Sequence, residues 1–400
     1  MLILPIENWA REAFVRTDLM KIYICNGGGQ VLIAPKNSIN KFIHRVKGNY
    51  LHKSLQPGFN ESIKKLKENG GSYFYIDEES IVRDTPLGRR YGLKPELVDF
   101  VISCSEEETI SFKKNGFLNI LESGNPRFNL KKGLKKISNR NSILFSSTFS
   151  LIRPGGRHNL ESVLSEWKFS ENEKNDLIDF INRHKKREPK VINILKKLSK
   201  FYKVTYRVHP LENFKEAKKV FEDFPIEIEK GGDIRESIQK HDYILHSGCS
   251  VGFEAALMGK PSFFVGANSD DKKSIVGRAS LHIGLNDEIT KIVEFLKNHT
   301  EINNDILSES TFGKKISKII DSNKIIANKL LEFKYESSSS EKIKNRYRVL
   351  ISGLVFNLIS NFDGKEKERF DQSSESYLRQ VANANNIKIL EFPRRHFWCG

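Results

Sequence analysis

The stretch HDYILHSGCSVGFEAALMGKP, residues 241–261, sets out a strand, a turn, a helix and a helix stop in direct succession. The apolar run that ends at His246 predicts a short strand, and the small residues 247–250 predict a turn with room for a ligand. A helix is expected to open near Ser250 and to stop at Gly259, ahead of the apolar strand SFFVG. Backbone N–H groups at a helix start favour an anion, so the expected ligand is a phosphate. Since every α/β domain contains such turns, the alternative is that Ser250 only caps the helix.

The acid of this helix, Glu254, gives the turn a second polar group. A capping box that starts at Ser250 would need its acid at position 253, where the chain has Phe253. Ser250 and Glu254 are four residues apart and therefore share one helix face. Glu254 is thus expected either to meet sugar hydroxyls behind the phosphate or to be a solvated surface residue.

Strands and helices alternate along most of the chain, which predicts an α/β fold of two Rossmann-like domains with C-terminal helices. LILPI (2–6), a helix ending at Gly27–Gly29 and QVLIAP (30–35) form a βαβ unit. The basic run NLKKGLKKISNRN (129–141) is the expected link, and SILFSSTF (142–149) opens a second series. The predicted domains are residues 1–135, residues 140–310 and a helical extension, 311–400. Ligands of such sheets bind beyond the carboxyl ends of the strands, so a cleft between the two domains is the expected site.

Two further strand ends carry candidate functional residues. In KVTYRVHP (203–210), alternation puts Arg207 and His209 on one face, and Pro210 ends the strand. Together they could neutralise a diphosphate or phosphodiester leaving group; the alternative is a surface Arg and a locally hydrogen-bonded His. In YIDEES (75–80), Asp77, Glu78 and Glu79 follow a strand of the first domain. They could supply the general base for an acceptor hydroxyl, or they could be a solvated turn.

The composition and net charge of the chain limit the classes of partner that it is expected to bind. The 400-residue chain carries a net charge of +16 and is 38% apolar, which favours a globular protein with an anionic partner. The Lys residues are scattered among Glu, and no compact Arg-rich block or Cys/His finger spacing occurs, which argues against nucleic acid.

The four cysteines form no CxxC pair and predict reduced thiols in the cytoplasm. The start lacks the features of a signal peptide, and the longest apolar run, residues 349–359, is too short to span a bilayer. Peripheral contact with the anionic inner face of the membrane stays open.

Six fragments resemble a known family when taken in order. They are LILPIENWAREAFVRTDLM, HKSLQPG, YIDEES, SGNPRFNL, YRVHPLEN and HSGCSVGFEAALMGKPSFFV, all within residues 1–270. Their order and spacing resemble bacterial surface-carbohydrate (capsule and O-antigen) biosynthesis proteins of the glycosyltransferase-B type. The second half is also similar to capsule transferases that use CMP-activated acidic sugars and, more distantly, to the CDP-polyol transferases of teichoic-acid synthesis.

The resemblance implies roles for particular residues. The His-Pro pair, His209 and Pro210, and the serine turn, Ser247 and Ser250, would hold the nucleotide phosphate. Arg207, from the strand alternation, and Gly248, within the turn, complete the predicted donor site. Glu254 would meet the ribose. The catalytic set would be Asp77, Glu78, Glu79 and His209, and acceptor-side or interdomain residues would be Glu7, Arg11, Asn125 and Arg127. The chain departs from the family at Ser80, where Gly is usual, and at Gly248 and Cys249, where Thr or Asn is common.

The resulting prediction is a cytoplasmic glycosyltransferase that moves a sugar from a nucleotide donor, CMP-linked, to a surface-polysaccharide or lipid-linked glycan acceptor. It would need no cofactor and no metal, because the chain has no Asp-x-Asp dyad. One alternative is a CDP-polyol (glycerol or ribitol) phosphotransferase, in which the acceptor attacks phosphorus. Another is a non-catalytic nucleotide-sugar-binding member of a polysaccharide assembly complex.

Overall fold

The computed structural model describes residues 1–6, 9–36, 39, 47–53, 60–78, 94–128, 141–155, 171–299, 321–333, 372–385, 387–392 and 396–399. The chain forms two compact units. The first draws its residues from Met1–Asn129, Gly313–Gly364 and Phe370–Gly400, and the second from Leu130–Phe312 and Lys365–Arg369. The expected linker at 129–141 lies outside the described residues except for Asn141.

The first unit contains an eight-stranded sheet in the order β13-β14-β2-β1-β3-β4-β5-β6. Six of these strands are parallel: β1 (Leu2–Ile6), β2 (Val31–Pro35), β3 (Asn49–His52), β4 (Ser72–Ile76), β5 (Phe100–Ser103) and β6 (Ile120–Glu122). Helices cover the sheet, so both faces of its central strands are buried in apolar clusters. The helices are α1 (Trp9–Cys25), α2 (Asn60–Glu68), α3 (Glu106–Lys114), α11 (Ser322–Glu332) and α12 (Gln372–Ala384).

The C-terminal part of the chain completes this unit. Helices α11 and α12 pack on α1 through buried Ile326, Leu330 and Leu378. The last two strands, β13 (Ile389–Phe392) and β14 (His396–Cys399), pair with each other and add to β2 in antiparallel orientation. Helices alone were expected beyond residue 310, so the strands are a difference from that expectation. Aromatic and aliphatic residues in ILEF and HFWC favour strands, and the otherwise open edge of β2 provides backbone partners.

The second unit contains a six-stranded parallel sheet in the order β12-β11-β10-β7-β8-β9. Its strands are β7 (Ser142–Ser146), β8 (Lys203–Arg207), β9 (Ile226–Glu229), β10 (Tyr243–His246), β11 (Ser262–Val265) and β12 (Leu281–Ile283). Counted from β7, this is the 3-2-1-4-5-6 order of the Rossmann fold. Its helices are α4 (Glu171–Leu198), α5 (Phe214–Val220), α6 (Ile234–Lys240), α7 (Val251–Leu257), α8 (Ser269–Lys273), α9 (Ile275–Arg278) and α10 (Ile289–Asn298).

Each sheet has one switch point, where the chain reverses the direction in which it adds strands to the sheet. In the first sheet this point lies between β1 and β3, and in the second it lies between β7 and β10. The loops leaving two neighbouring strands diverge there and open a crevice at their carboxyl ends. The expected fold class, two Rossmann-like parallel α/β domains, is confirmed. The cleft between them stays a prediction.

The length and apolar character of the described helices show whether any of them could span a membrane. None of them is long and apolar enough to cross a bilayer. The apolar run at 349–359 lies outside the described residues.

Candidate functional site

The turn after β10 is organised from behind by the last residue of the strand. The backbone N–H groups of Gly248 and Cys249 donate to His246 Nδ1 over 3.1 and 3.4 Å. Gly248 is exposed and has a φ of +98°, a conformation that favours glycine. Ser247 is buried and donates its hydroxyl to the carbonyl oxygen of Val265 over 3.0 Å. Ser247 therefore supports the turn, and the positions left for an anion to meet backbone N–H groups are at the start of α7.

Ser250 and Glu254 are paired, as their spacing predicts. Ser250 Oγ lies 3.4 Å from Glu254 Oε1, and the Ser250 side chain makes no capping hydrogen bond to the helix. Glu254 is 2% exposed, so the alternative of a solvated surface residue is wrong. The buried carboxylate and the half-buried hydroxyl together form a polar wall directly behind the turn. Contact between Glu254 and a ribose stays a prediction.

A second hydroxyl-rich turn, Ser146–Thr148, follows β7 on the other side of the switch point. Thr148 Oγ1 donates to the carbonyl oxygen of Ser247 over 3.1 Å, and Ser146 Oγ lies 3.5 Å from Cys249 Sγ. These contacts join the two turns at the carboxyl edge of the sheet. This turn was not predicted from the sequence. Its signal was available, because SST follows the buried strand SILF just as SGCS follows DYILH.

The end of β8 shows the expected alternation of side chains. Val204 and Tyr206 lie in the core on one face, while Thr205 contacts His241 and Arg207 contacts Ser237 on the other. The Arg207 guanidinium forms an ion pair with Glu229 and donates to Ser237 Oγ over 2.7 Å and to the Gly232 carbonyl oxygen over 2.5 Å. Arg207 is 8% exposed, so it is not a surface Arg. Its guanidinium is occupied by protein partners, and a direct contact with a leaving group stays a prediction.

His209 lies half-buried just beyond β8, before Pro210. Its Nδ1 accepts the backbone N–H of Leu211 over 3.2 Å, and its own backbone N–H donates to Glu212 Oε2 over 3.2 Å. The local hydrogen bond that was the alternative expectation is therefore present. Since Nδ1 accepts a hydrogen bond, the neutral His209 ring carries its proton on Nε2.

A buried network connects His209 to the turn after β7, and it was not predicted from the sequence. Glu212 Oε1 forms an ion pair of 2.8 Å with Arg153 Nη2, which also donates to the Tyr206 hydroxyl over 2.6 Å. That hydroxyl lies 2.7 Å from Ser147 Oγ and 2.9 Å from Glu212 Oε1. Burial holds the pKa of Tyr206 well above its usual value, with Glu212 adding to the effect, so the phenol keeps its proton. No local pattern marks Arg153, since the contact depends on how β7 and β8 pair.

The candidate residues of the first unit lie at the end of β4. Asp77 and Glu78 are 4% and 3% exposed, so they do not form a solvated turn. Glu78 Oε1 lies 3.1 Å from Arg16 Nη1 on α1. Asn125 Nδ2 donates to the Glu78 carbonyl oxygen over 2.8 Å, and Asn125 Oδ1 accepts the Arg127 backbone N–H over 3.0 Å. The acidic turn and the Gly-Asn-Pro-Arg stretch are therefore brought together in one unit.

The pKa of Glu78 depends on residues of α1 that were not predicted from the sequence to be functional. Burial raises the pKa of Glu78, and the nearby Arg16 cation opposes that rise. Glu12, one helical turn before Arg16 on α1, forms an ion pair of 2.5 Å with Lys53 at the end of β3. The spacing of Glu12 and Arg16 was a signal for a polar stripe on α1. Glu7 and Glu79 lie outside the described residues, and of Arg11 only the backbone, within α1, is described.

Cys25, Cys104 and Cys249 are free thiols. Across the described ranges, no group of three or more His, Cys, Asp or Glu side chains could hold a metal ion. Independence of metals and cofactors stays a prediction.

Comparison with known proteins gives no family assignment. No protein-family model matches this chain, and no curated protein matches it. Among solved structures, it is similar to a UDP-GlcNAc 2-epimerase from Neisseria meningitidis bound to UDP-GlcNAc, with a TM-score of 0.47 and 12% identity over 83% of this chain and 99% of that chain. It is also similar to the UDP-GlcNAc 2-epimerase of Methanocaldococcus jannaschii, with a TM-score of 0.48 and 12% identity over 83% and 99% of the two chains. For the wall teichoic acid polymerase TagF, the TM-score is 0.44 and the identity 14% over 83% and 88%.

These similarities carry no argument about the ligand or activity of this chain, because both the identities and the TM-scores are low. The resemblance to capsule transferases stays a prediction, and so does the cytidine donor.

Proposed function

We propose that this protein is a glycosyltransferase that moves a sugar from a nucleotide-activated donor, with CMP as the leaving nucleotide, to a surface-polysaccharide or lipid-linked glycan acceptor. The observation that carries the proposal is the joining of two hydroxyl-rich turns, 146–148 and 247–250, at the switch point of a sheet in Rossmann order. Nucleotides bind at this position in parallel sheets. The donor site is therefore proposed for the second unit.

The residues of the donor site have separate tasks in this proposal. Ser250 meets the phosphate at the start of α7, and Gly248, which has no side chain, leaves room for it beside the turn. Ser247 supports the turn, and buried Glu254 receives the ribose hydroxyls. His209, with Pro210 fixing its place at the strand end, donates from Nε2 to the departing phosphate oxygen. Arg207 adds positive charge from behind without leaving its partner Glu229. No metal and no cofactor take part.

The acceptor site is proposed for the first unit. Glu78 is the best supported of the three acids as the general base, because its carboxylate is buried and held by Arg16. Asp77 and Glu79 flank it. Asn125 positions the acidic turn through the Glu78 carbonyl oxygen. The remaining acceptor-side candidates are Arg127, Glu7 and Arg11. The protein is proposed to act in the cytoplasm, where its net charge of +16 favours contact with the anionic inner face of the membrane.

The first experiment is calorimetric titration of the purified protein with CMP, CDP, UMP and UDP. Selective cytidine binding is expected, and His209→Ala should weaken it by about tenfold or more, because a hydrogen bond to a charged group is lost. The matched control is His299→Ala. That imidazole also makes a local hydrogen bond, from Nδ1 to the Phe295 carbonyl oxygen, but it lies at the C-terminal end of α10 and belongs to neither turn. Absence of binding of all four nucleotides would overturn the proposed function.

Product analysis separates transfer at carbon from transfer at phosphorus. Incubation with CMP-sugars and an acceptor should release CMP and leave a glycosidic bond. A phosphodiester product formed from a CDP-polyol would contradict the proposal and identify a phosphotransferase. Nucleotide binding that leads to no product, and that is unchanged in Glu78→Gln, would identify a binding protein.

A further inference from the structure

His246 has a single hydrogen-bonding arrangement that its surroundings impose. Its Nδ1 receives two backbone N–H groups, those of Gly248 and Cys249, and therefore carries no proton. The ring proton is on Nε2, which lies 2.8 Å from Ser280 Oγ. Ser280 Oγ donates its own proton to the Val276 carbonyl oxygen over 2.9 Å, which leaves its lone pairs to accept from the imidazole. The ring is thus fixed as the neutral Nε2–H tautomer.

Packing prevents the ring from moving away from the turn. The His246 side chain is fully buried, and its ring centroid lies 4.9 Å from that of Phe264. On the α7 side, a Cβ added at Gly252 would come within 2.2 Å of His246 Nε2. The Phe264 ring also lies beneath Gly248, where an added Cβ would be 3.4 Å from it. The imidazole, Phe264 and the bare backbone of Gly252 therefore define the shape of the turn from below.

Resting on the proposed function, we propose that His246 is a positioning residue of the donor site, whose Nδ1 gathers the Gly248 and Cys249 N–H groups and so holds the turn in the shape that accepts the nucleotide phosphate. The imidazole does not touch the nucleotide. It keeps Gly248 at its positive φ and directs the exposed side of the turn toward the ligand. Because the turn is already ordered, nucleotide binding does not have to supply the free energy of ordering it, and affinity is higher for that reason.

Two substitutions separate the two ring nitrogens. His246→Asn places an amide oxygen at the position of Nδ1, two bonds from Cβ, and keeps the acceptor for the turn. His246→Gln places its amide one bond further out, near the position of Nε2, and removes that acceptor. Ser280→Ala is the matched control, because it removes the partner of Nε2 and leaves Nδ1 unchanged. For each variant, CMP affinity is measured by calorimetry and the unfolding midpoint by urea titration.

The expected result is that His246→Gln weakens CMP binding by about tenfold or more, while His246→Asn stays within about threefold of the unmodified protein. Ser280→Ala should lower the unfolding midpoint and leave CMP affinity within about twofold. If affinity in the three variants follows their unfolding midpoints instead, His246 is a structural residue only and the inference is overturned. If the unmodified protein binds no cytidine nucleotide, the proposed function itself fails, which is a different outcome.

Discussion

Single buried residues determine how each candidate site is charged. Glu78 and Arg16 form an ion pair in which both side chains are nearly inaccessible, at 3% and 1% exposure. Removing two charges from water costs several kcal/mol per ion, and the partner recovers that cost only while both are present. At His246, burial excludes the charge altogether. Glu78 is therefore a buried charge that needs its partner Arg16, whereas His246 is a buried base that stays neutral.

Arg16→Met should lower the free energy of unfolding of the first unit by about 3 kcal/mol, because the Glu78 carboxylate is left buried without its cation. Urea unfolding at neutral pH measures the loss. The double variant Arg16→Met with Glu78→Leu is the control, since it removes both charges and should recover most of the stability. A double variant no more stable than Arg16→Met would contradict the expectation.

His246 should make folding pH-dependent in the acidic range. Burial, assisted by the neighbouring His282 and Arg187, lowers its pKa from 6.5 to about 3. The unfolded chain then binds a proton that the folded protein does not, so stability is full above pH 6.5 and falls as the pH drops toward 3. Between pH 6.5 and pH 5, the unmodified protein should lose about 1.6 kcal/mol more of its free energy of unfolding than His246→Asn, as measured by urea unfolding. Equal losses in the two proteins would show that this imidazole does not titrate differently in the two states.

At the scale of elements, helix α7 is placed unusually close to the strand before it. Its second residue, Gly252, faces the imidazole of His246, so the first turn of α7 carries no side chain on that side. At position 252, helix propensity favours alanine, whereas the close contact with His246 favours glycine.

Gly252→Ala should destabilise the protein by about 1–3 kcal/mol, because the added methyl group collides with a ring that cannot move. The clash outweighs the roughly 1 kcal/mol that alanine gains over glycine inside a helix. Gly29→Ala is the control, since an added Cβ there meets nothing within 4 Å and little change is expected. Thermal unfolding of both variants measures the difference. Stabilisation by Gly252→Ala would mean that His246 is free to shift.

At the scale of the whole molecule, residues distant in the chain build the first unit. Leu378 on α12 is fully buried in the same apolar cluster as Leu4 of β1 and Leu19 of α1. The Tyr377 hydroxyl donates to Asp18 over 2.7 Å. The C-terminal segment is thus part of the core of the N-terminal sheet, while the sheet of the second unit is formed by the chain between them.

Leu378→Ala should therefore weaken the first unit only. Truncation of a buried leucine costs about 2–5 kcal/mol. Hydrogen exchange should become faster in peptides from β1 and α1 and stay unchanged in peptides from β10 and α7. Leu296→Ala, which removes a buried leucine of α10 in the second unit, should give the reverse pattern. Faster exchange in both units for either variant would contradict this division.

The sequence by itself determined the local features of this protein. Apolar runs and their period placed β1, β4, β8 and β10, and alternation assigned Arg207 and Tyr206 to opposite faces of β8. The turn chemistry after β10 was also readable, because small residues and a helix start lie in one short stretch. The strands β3 and β12 were missed because NYLH and LHI each hold only two apolar residues, and the hairpin β13–β14 was missed because it follows a region whose pattern predicts helices.

The tertiary structure alone decided which strand ends meet. Strand β10 pairs with β7, about a hundred residues earlier in the chain, and this pairing joins Thr148 to Ser247. The ion pair of Arg16 with Glu78 and the network of Arg153, Tyr206 and Glu212 likewise depend on neighbours that no local pattern specifies. Local periodicity shows which face of an element is buried, but it does not show which element covers that face. Strand order depends on packing across the whole sheet, and the candidate site depends on strand order.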